Sequence, residues 1–247
     1  MQAIILAAGM GKRLGEFTKE NTKCMVEVNG TRLIDRVLGQ LSRLDLNRVV
    51  IVVGYEGKKL MDYVGNEYNG MPIEYVSNPI YDKTNYIYSM YLARDLIDDD
   101  MLFFHGDLVF NRKLIHDVLK CEDKNTATVN FKKALPEKDF KGRIKDGKVM
   151  EVSIKIFDED CFAFQPFYKL EKATAAAWVE KVVEFINKGE DKCYAENALN
   201  EIFPELNIRA FSYDGYYIDE IDNLDDHARV TADIIPFDEA DEKIFNS

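Results

Sequence analysis

Short, continuously apolar segments alternate with amphipathic ones along the first half of the chain. A short apolar run is typical of a strand buried on both faces of a parallel sheet, whereas apolar residues three and four apart predict a helix. These patterns predict strands at 2–7, 48–53, 73–76 and 101–104, and helices at 31–44, 58–64 and 86–97. Such alternation predicts an α/β fold with a Rossmann-like, mostly parallel sheet flanked by helices.

The pattern changes near Thr126, where shorter alternating segments are punctuated by turns such as Asp146-Gly147. These segments are typical of antiparallel strands and predict a small antiparallel subdomain. The predicted strands are 127–131, 142–145, 148–156 and 209–212, and the predicted helices are 173–187, 196–202 and 222–231. We therefore predict one domain over 1–231, with halves at about 1–125 and 126–231, and an acidic, irregular tail or linker over 232–247.

Charge narrows the range of partners. The 247 residues include 44 acidic and 32 basic side chains, a formal net charge of -12. A surface of that sign repels polymeric nucleic acid and anionic membranes, so we expect neither as a partner. A small anionic ligand responds to local charge and is not excluded.

Cysteine and histidine usage argues against a zinc site or a disulfide framework. The four cysteines show no CxxC spacing, and the three histidines are widely dispersed. The first residues contain neither a basic leader nor a membrane-length apolar run. We therefore expect reduced thiols and a cytoplasmic location.

A basic, glycine-containing loop follows the first predicted strand. Bare backbone at Gly9 and Gly11 lets a phosphate approach closely. Four cations follow within the loop, namely Lys12, Arg13, Lys19 and Lys23. The loop matches neither a Walker A motif nor the GxGxxG dinucleotide motif. It predicts a polyphosphate cradle, with a solvated basic loop as the alternative.

The segment from Leu6 to Leu14, followed by Thr22-Lys23 before Val-Glu-Val, resembles the LAAGxGxRL…PK pattern of nucleotidyltransferases. That pattern opens the sugar-1-phosphate nucleotidylyltransferases and the phosphocholine cytidylyltransferase-like enzymes, and the resemblance extends to about Val230. It implies that Arg13 and Lys23 are catalytic and bind the triphosphate. It also implies a nucleotide-binding role for Leu6, Ala7, Ala8, Gly9, Gly11 and Lys12. Thr22 stands where the family usually has proline.

The same resemblance implies a Mg²⁺ site. Asp107, at the end of a predicted strand, matches the first metal ligand of the family. Asp222, in Glu220-Ile221-Asp222, matches the second. Carboxylate oxygens suit this hard cation.

Base and acceptor recognition are implied by two further stretches. The segment from Asn78 to Ser89 resembles the phosphocholine cytidylyltransferase-like group and implies that Asn85 and Ser89 read the pyrimidine. The family's acceptor residues match Lys155, Tyr194, Glu196 and Asn197. Choline enzymes tend to use tryptophan here, whereas helical spacing places Trp178, the one tryptophan of the sequence, in the core.

The resemblance therefore implies transfer of CMP from CTP to a small phosphate or phosphonate monoester such as phosphocholine or 2-aminoethylphosphonate, with release of pyrophosphate. A sugar-1-phosphate nucleotidylyltransferase is the alternative among enzymes. A catalytically silent, nucleotide-sensing subunit is the alternative of another class. A homodimer and a fusion to a pathway-related domain both stay open.

Overall fold

Fourteen strands and eight α-helices make up the regular structure of residues 1–245, the part of the chain that the computed structural model describes. The strands are β1 (Gln2–Ala7), β2 (Glu27–Val28), β3 (Thr31–Arg32), β4 (Val49–Val53), β5 (Glu67–Tyr68), β6 (Met71–Ser77), β7 (Met101–His105), β8 (Leu108–Phe110), β9 (Thr126–Asn130), β10 (Lys141–Lys145), β11 (Lys148–Ser153), β12 (Cys161–Leu170), β13 (Arg209–Ser212) and β14 (Ile218–Glu220). The helices are α1 (Leu33–Leu41), α2 (Gly57–Val64), α3 (Tyr86–Ala93), α4 (Arg112–Lys120), α5 (Lys172–Asn187), α6 (Ala195–Asn200), α7 (Leu224–Asp233) and α8 (Ile235–Phe245).

Ten strands form one mixed sheet in the order β10-β11-β13-β9-β12-β7-β1-β4-β6-β5. The predicted parallel part is confirmed as β7-β1-β4-β6, where Ile5 pairs with Phe104 on one side and Ile51 on the other. Helices cover both faces, because these strands are apolar on both sides. The carboxyl ends of β1, β4 and β7 therefore meet at one edge of the sheet.

The other half of the sheet curls into a ring. β10 pairs with β11 and also with β12, so the strands β10-β11-β13-β9-β12 close on themselves. All of these pairs are antiparallel except β9 with β13. The predicted antiparallel subdomain is this ring, and it continues the main sheet through the pairing of β12 with β7. The domain boundaries proposed from the sequence stay a prediction.

The chain after residue 232 differs from the sequence prediction. Residues 235–245 form α8, so the expectation of an irregular tail is wrong for that stretch. Specific polar contacts hold the helix: Arg36 pairs with Asp238 at 2.8 Å, and the Asn111 amide donates to Asp241 at 3.1 Å. Residues 246 and 247 of the predicted tail lie outside the described part of the chain.

The core confirms the structural interpretation of Trp178. Its indole is fully buried and donates to the carbonyl of Ala195 at 2.9 Å. Across residues 1–245, no helix combines the length and apolar character needed to cross a bilayer. The cytoplasmic location stays a prediction.

Candidate active site

A cavity of about 210 Å³ opens where β1 and β7 end. We call it the inner cavity. It is lined by Leu6, Ala7, Ala8, Gly9, Lys23, Cys24, Asn78, Tyr81, Thr84, Asn85, Tyr86, Ser89, His105, Gly106 and Asp107. Every one of these residues comes from the first 107, so the parallel part of the sheet and its loops build this cavity alone.

The loop after β1 folds back on itself at Gly11. That residue has a φ of +59°, which favours glycine, and its carbonyl accepts a hydrogen bond from the Thr18 hydroxyl at 2.9 Å. A Cβ at Gly11 would lie 3.1 Å from the Thr18 methyl group and 3.3 Å from Cβ of Lys23. The absence of a side chain at this position therefore lets the loop close and bring Lys23 under the end of β1.

Gly106 packs directly against Cys24, the residue that follows Lys23. A Cβ here would lie 2.6 Å from the Cys24 sulfur, so this residue must be glycine for the two segments to touch. Its N–H donates to the Leu6 carbonyl at 2.9 Å, and its own carbonyl accepts from the Cys24 thiol at 3.2 Å. Burial raises the pKa of Cys24 to about 12, so the thiol stays neutral. These contacts place Lys23 beside Asp107.

Lys23 joins the two aspartates that the sequence singled out. Its ammonium donates to Asp107 and, at 2.7 Å, to Asp222, while Arg13 pairs with Asp222 at 2.8 Å. Burial by itself would lower the pKa of Lys23, but the two carboxylates outweigh it and raise the pKa above its usual range. Burial by itself would raise the pKa of Asp107, but the positive charge of Lys23 outweighs burial and lowers the pKa of that carboxyl.

The pairing of two short strands brings these distant aspartates together. β14 runs antiparallel to β8, with Glu220 opposite Leu108, and the N–H of Ile221 donates to the Asp107 carbonyl at 3.3 Å. The residues that follow β14 and precede β8 therefore lie side by side. This explains how positions 107 and 222 meet across more than a hundred residues of chain.

Glu220 is a site residue that sequence reasoning missed as a ligand. Its carboxylate can converge with His105 and Asp107, or with Asp139 and Asp222, with ligand atoms in each set within 4.8 Å of one another. Burial, together with the Asp107 charge, raises the pKa of Glu220 well above its usual range. The sequence signal was its place in Glu220-Ile221-Asp222, two residues before a candidate ligand.

This donor set fits a hard divalent cation. Oδ1 of Asp107 is buried and lacks a hydrogen-bond partner within residues 1–245, so this oxygen is an acceptor with no protein donor. Carboxylate oxygens predominate among the convergent groups, as Mg²⁺ prefers.

A second cavity of about 740 Å³ begins where the inner cavity ends. We call it the outer cavity. Both are lined by Gly9, Asn85, Tyr86, His105 and Asp107. The outer cavity is further lined by Arg13, Glu137, Lys138, Asp139, Phe140, Ile154, Tyr194, Asp219, Glu220, Asp222, Asn223, Asp226 and Arg229. Seven of its lining residues are carboxylic acids and three are lysine or arginine, so it is an acidic cavity.

The structure brings most of the predicted nucleotide-binding residues to the inner cavity. Asn85 lines it while capping α3, where its side chain accepts the Tyr86 N–H at 2.8 Å. The buried Ser89 hydroxyl accepts from the Asn78 amide at 3.1 Å. Lys12 instead lies on the outer surface of the loop, in a separate depression with Lys19.

The predicted acceptor residues separate into two groups. Tyr194 lines the outer cavity, with its ring 5.6 Å from that of Tyr86. Lys155 is exposed after the end of β11, and it lines neither cavity. Asn197 is also exposed, and its side chain accepts the Tyr194 N–H at 3.0 Å at the start of α6.

Glu196 is fully buried rather than placed on a cavity wall. Its carboxylate accepts hydrogen bonds from the hydroxyls of Tyr86 and, at 3.0 Å, Tyr168. Tyr86 lines both cavities, so Glu196 acts on the site indirectly, by accepting the hydrogen bond of the Tyr86 hydroxyl. The binding roles given to these residues on the basis of the sequence stay predictions.

The family model of the MobA-like NTP transferase domain matches residues 3–142, more than half of the chain. The chain belongs to this family. The matched region contains β1, the basic loop and Asp107, and therefore the whole inner cavity. MobA-like NTP transferases are nucleotidyltransferase enzymes, and the resemblance stated from the loop motif is confirmed.

Two relatives of this MobA-like chain are named as enzymes that form CMP derivatives or act on CTP. It is 39% identical over 110 residues to a CMP-5'-(3-aminopropyl)phosphonate synthase of Streptomyces rubellomurinus. That match covers 44% of this chain and 18% of the relative, so the chain matches only a small part of the length of that relative. It is 27% identical to the CTP:phosphoglutamine cytidylyltransferase of Campylobacter jejuni, over 92% of this chain and 97% of the relative.

The fold is shared with a solved structure, the CTP:phosphocholine cytidylyltransferase of Streptococcus pneumoniae. The two superpose with a TM-score of 0.76, covering 94% of this chain and 98% of that one, at 24% identity. This likeness confirms the predicted nucleotidyltransferase fold.

Proposed function

We propose that this protein transfers CMP from CTP to a small phosphate or phosphonate monoester that carries an amine or ammonium group, and releases pyrophosphate. One observation carries the proposal: two cavities meet at Asp107, and Lys23 lies at their junction. Two substrates bound in these cavities would present their reacting groups to the same charged cluster.

The inner cavity suits a nucleoside. It is enclosed by apolar strand ends and offers the short polar side chains of Asn78, Asn85 and Ser89 to a base edge. The names of the relatives, two of them cytidylyl or CMP enzymes, favour cytosine as that base.

The outer cavity suits an acceptor with a positive group. Its excess of carboxylates attracts a cation, and the aromatic rings of Tyr86, Phe140 and Tyr194 offer faces to it. The uncharged sugar ring of a hexose phosphate gains no attraction from those carboxylates. The aminopropylphosphonate and phosphoglutamine named for the relatives both contain nitrogen besides the phosphorus group.

We further propose that Mg²⁺ is the cofactor, held by Asp107 and Asp222 with Glu220 beside them. When bound, this ion supplies positive charge to the phosphate oxygens. The supporting observation is the buried, unpartnered oxygen of Asp107.

The residues of the chain stabilise and position the reacting groups. An acceptor oxygen, already anionic near neutral pH, forms a bond to the α-phosphorus while the bond from that phosphorus to the pyrophosphate oxygen breaks. An ammonium has three donors, and two of those on Lys23 bond to carboxylates, so one is left for a phosphate oxygen. Arg13, which lines the outer cavity and pairs with Asp222, would stabilise the leaving pyrophosphate.

The test is a pyrophosphate-release assay with each of the four ribonucleotides, dTTP and a panel of acceptors. We expect turnover with CTP and an amine-bearing phosphate or phosphonate. Preference for UTP or dTTP with hexose phosphates would overturn the cytidylyl assignment in favour of a sugar-1-phosphate enzyme. CTP binding without pyrophosphate from any pair would indicate a silent nucleotide sensor.

A further inference from the structure

Lys141 is a fully buried lysine at the first position of β10. Burial of an ammonium is unfavourable unless each of its donors is satisfied. Its hydrogen-bond acceptors within residues 1–245 are three backbone carbonyls, those of Ile154 at 2.6 Å, Pro136 at 3.0 Å and Glu137 at 3.5 Å. Three donors thus meet three acceptors on two different segments of the chain.

Both segments are walls of the outer cavity. Residues 137–140 line it, and so does Ile154, which comes just after β11. The ring of Phe157 covers the ammonium at 4.1 Å and closes the cluster toward solvent. Lys141 therefore ties together two stretches that otherwise belong to separate connections, β9 to β10 and β11 to β12.

The backbone of Lys141 is itself immobilised. It pairs with Ser153 on β11 and with Ala163 on β12, inside the closed ring of strands. A Cβ on the next residue, Gly142, would lie 3.0 Å from the Phe164 ring, so β10 packs tightly at this point. A rigid backbone with a long side chain bound to two loops is suited to holding those loops in one arrangement.

We propose that Lys141 is a positioning residue for the acceptor: it holds residues 136–140 and Ile154 as the wall of the outer cavity without touching the substrate. The inference rests on the proposed function for its kinetic readout. Without the three hydrogen bonds the wall becomes mobile, and an acceptor must order it on binding, which weakens acceptor affinity. The inner cavity, and with it the affinity for CTP, is unaffected.

The decisive variant is Lys141→Met, which keeps the aliphatic stem and removes the donors. The matched control is Lys169→Met, because Lys169 is also buried and its ammonium donates to a backbone carbonyl, that of Cys121, at 2.9 Å, away from both cavities. We expect Lys141→Met to raise the acceptor KM on the order of tenfold and to change the CTP KM by less than about twofold. Lys169→Met should leave both constants unchanged even where its melting temperature falls.

Hydrogen exchange gives a readout independent of turnover. The Phe164 amide, which donates to the Phe140 carbonyl at 3.1 Å, should exchange faster in Lys141→Met than in wild type, and at the wild-type rate in Lys169→Met. Equal increases in both KM values, or unchanged exchange of the Phe164 amide, would overturn the inference. If wild type releases no pyrophosphate with any substrate pair, the proposed function fails, but the exchange comparison still decides the role of Lys141.

A milder variant covers the case in which Lys141→Met does not fold. Phe157 is more than half exposed, so Phe157→Leu should fold while removing the ring from the ammonium. We expect smaller changes in the same direction, about twofold to threefold in acceptor KM, with faster exchange of the Phe164 amide. Wild-type acceptor KM and exchange in this variant would contradict the proposal.

Discussion

The inner and outer cavities are built by different means. The inner cavity is lined by residues between Leu6 and Asp107, at the ends of buried parallel strands. The outer cavity takes its lining from seven separate stretches between Gly9 and Arg229, most of them loops. One substrate site is therefore built within the first 107 residues, at the ends of paired strands, while the other depends on the meeting of segments from the whole length of the chain. The following predictions test whether the two sites can be perturbed separately.

The largest effect is expected where the cavities meet. Lys23→Ala removes the cation shared by Asp107 and Asp222 and leaves two carboxylates facing each other. We expect turnover to fall by about 100- to 1000-fold in the pyrophosphate assay, because stabilisation of transition-state charge is lost. Lys19→Ala, an exposed lysine of the same loop, is the control. Near-wild-type turnover in Lys23→Ala would rule out its catalytic role.

Gly106→Ala perturbs the inner cavity first. The new methyl group would lie 2.6 Å from the Cys24 sulfur, so the segment holding Lys23 must move. We expect a loss of about 1–3 kcal/mol in the free energy of unfolding, measured by urea denaturation, together with a higher CTP KM. Cys24→Ala in the same chain should recover part of the loss. Gly39→Ala, in α1 with its nearest atom at 3.8 Å, should cost nothing. Equal behaviour of the two glycine variants would contradict this account.

Asp139→Asn perturbs the outer cavity alone. Asp139 is exposed to solvent but lines the acidic cavity, where partial desolvation raises its pKa and the charges of Asp222 and Asp219 raise it further. We expect the KM of an amine-bearing acceptor to rise about threefold to tenfold, while the CTP KM is unchanged. Glu159→Gln, an exposed acid outside both cavities, controls for net charge. A parallel rise in both constants would mean that the cavities are coupled.

The smallest effect lies outside both cavities. Partial burial works to raise the pKa of Asp117, but hydrogen bonds from Lys113, His116 and Tyr216 outweigh it and lower the pKa to about 2. A depressed carboxyl pKa stabilises the fold above the unfolded value, about 3.8, and this stabilisation is lost as the pH falls toward 2. Asp117→Asn should therefore cost about 1 kcal/mol at pH 7 and progressively less below pH 4, by urea denaturation. Neither KM should change, and a pH-independent cost would refute the electrostatic explanation.

The inner cavity could be predicted well because its signals are local. The burial of strands such as β1 and β4 can be read from their apolar sequences, and the glycines and cations of the basic loop follow β1 directly. The motif resemblance implied that Asp107 and Asp222 hold one metal ion and that Lys23 binds the triphosphate, but it gave no ion pair between Lys23 and the two aspartates. The contact of Cys24 with Gly106, which places Lys23 beside Asp107, has no sequence signature.

The rest depended on long-range contacts. β12 lies at the centre of the sheet yet contains Pro166, a residue that argues against a central strand. Its register shifts between Gln165 and Tyr168, which accommodates the missing N–H. Glu196 resembled a pocket residue, but its partners, two tyrosine hydroxyls far away in sequence, could not be known before the fold was seen.

The closed ring of strands has a consequence for how acceptor choice can diverge. β10 pairs with β11 on one side and with β12 on the other. The loop joining β9 to β10 therefore leads into a strand whose backbone is hydrogen-bonded to both neighbours. Exchange of residues 132–140 for the equivalent loop of another enzyme therefore exposes no unpaired strand edge that could recruit a second chain. The ring therefore supports exchange of this loop: substrate preference can change while the strands that hold the loop stay paired and offer no edge for aggregation.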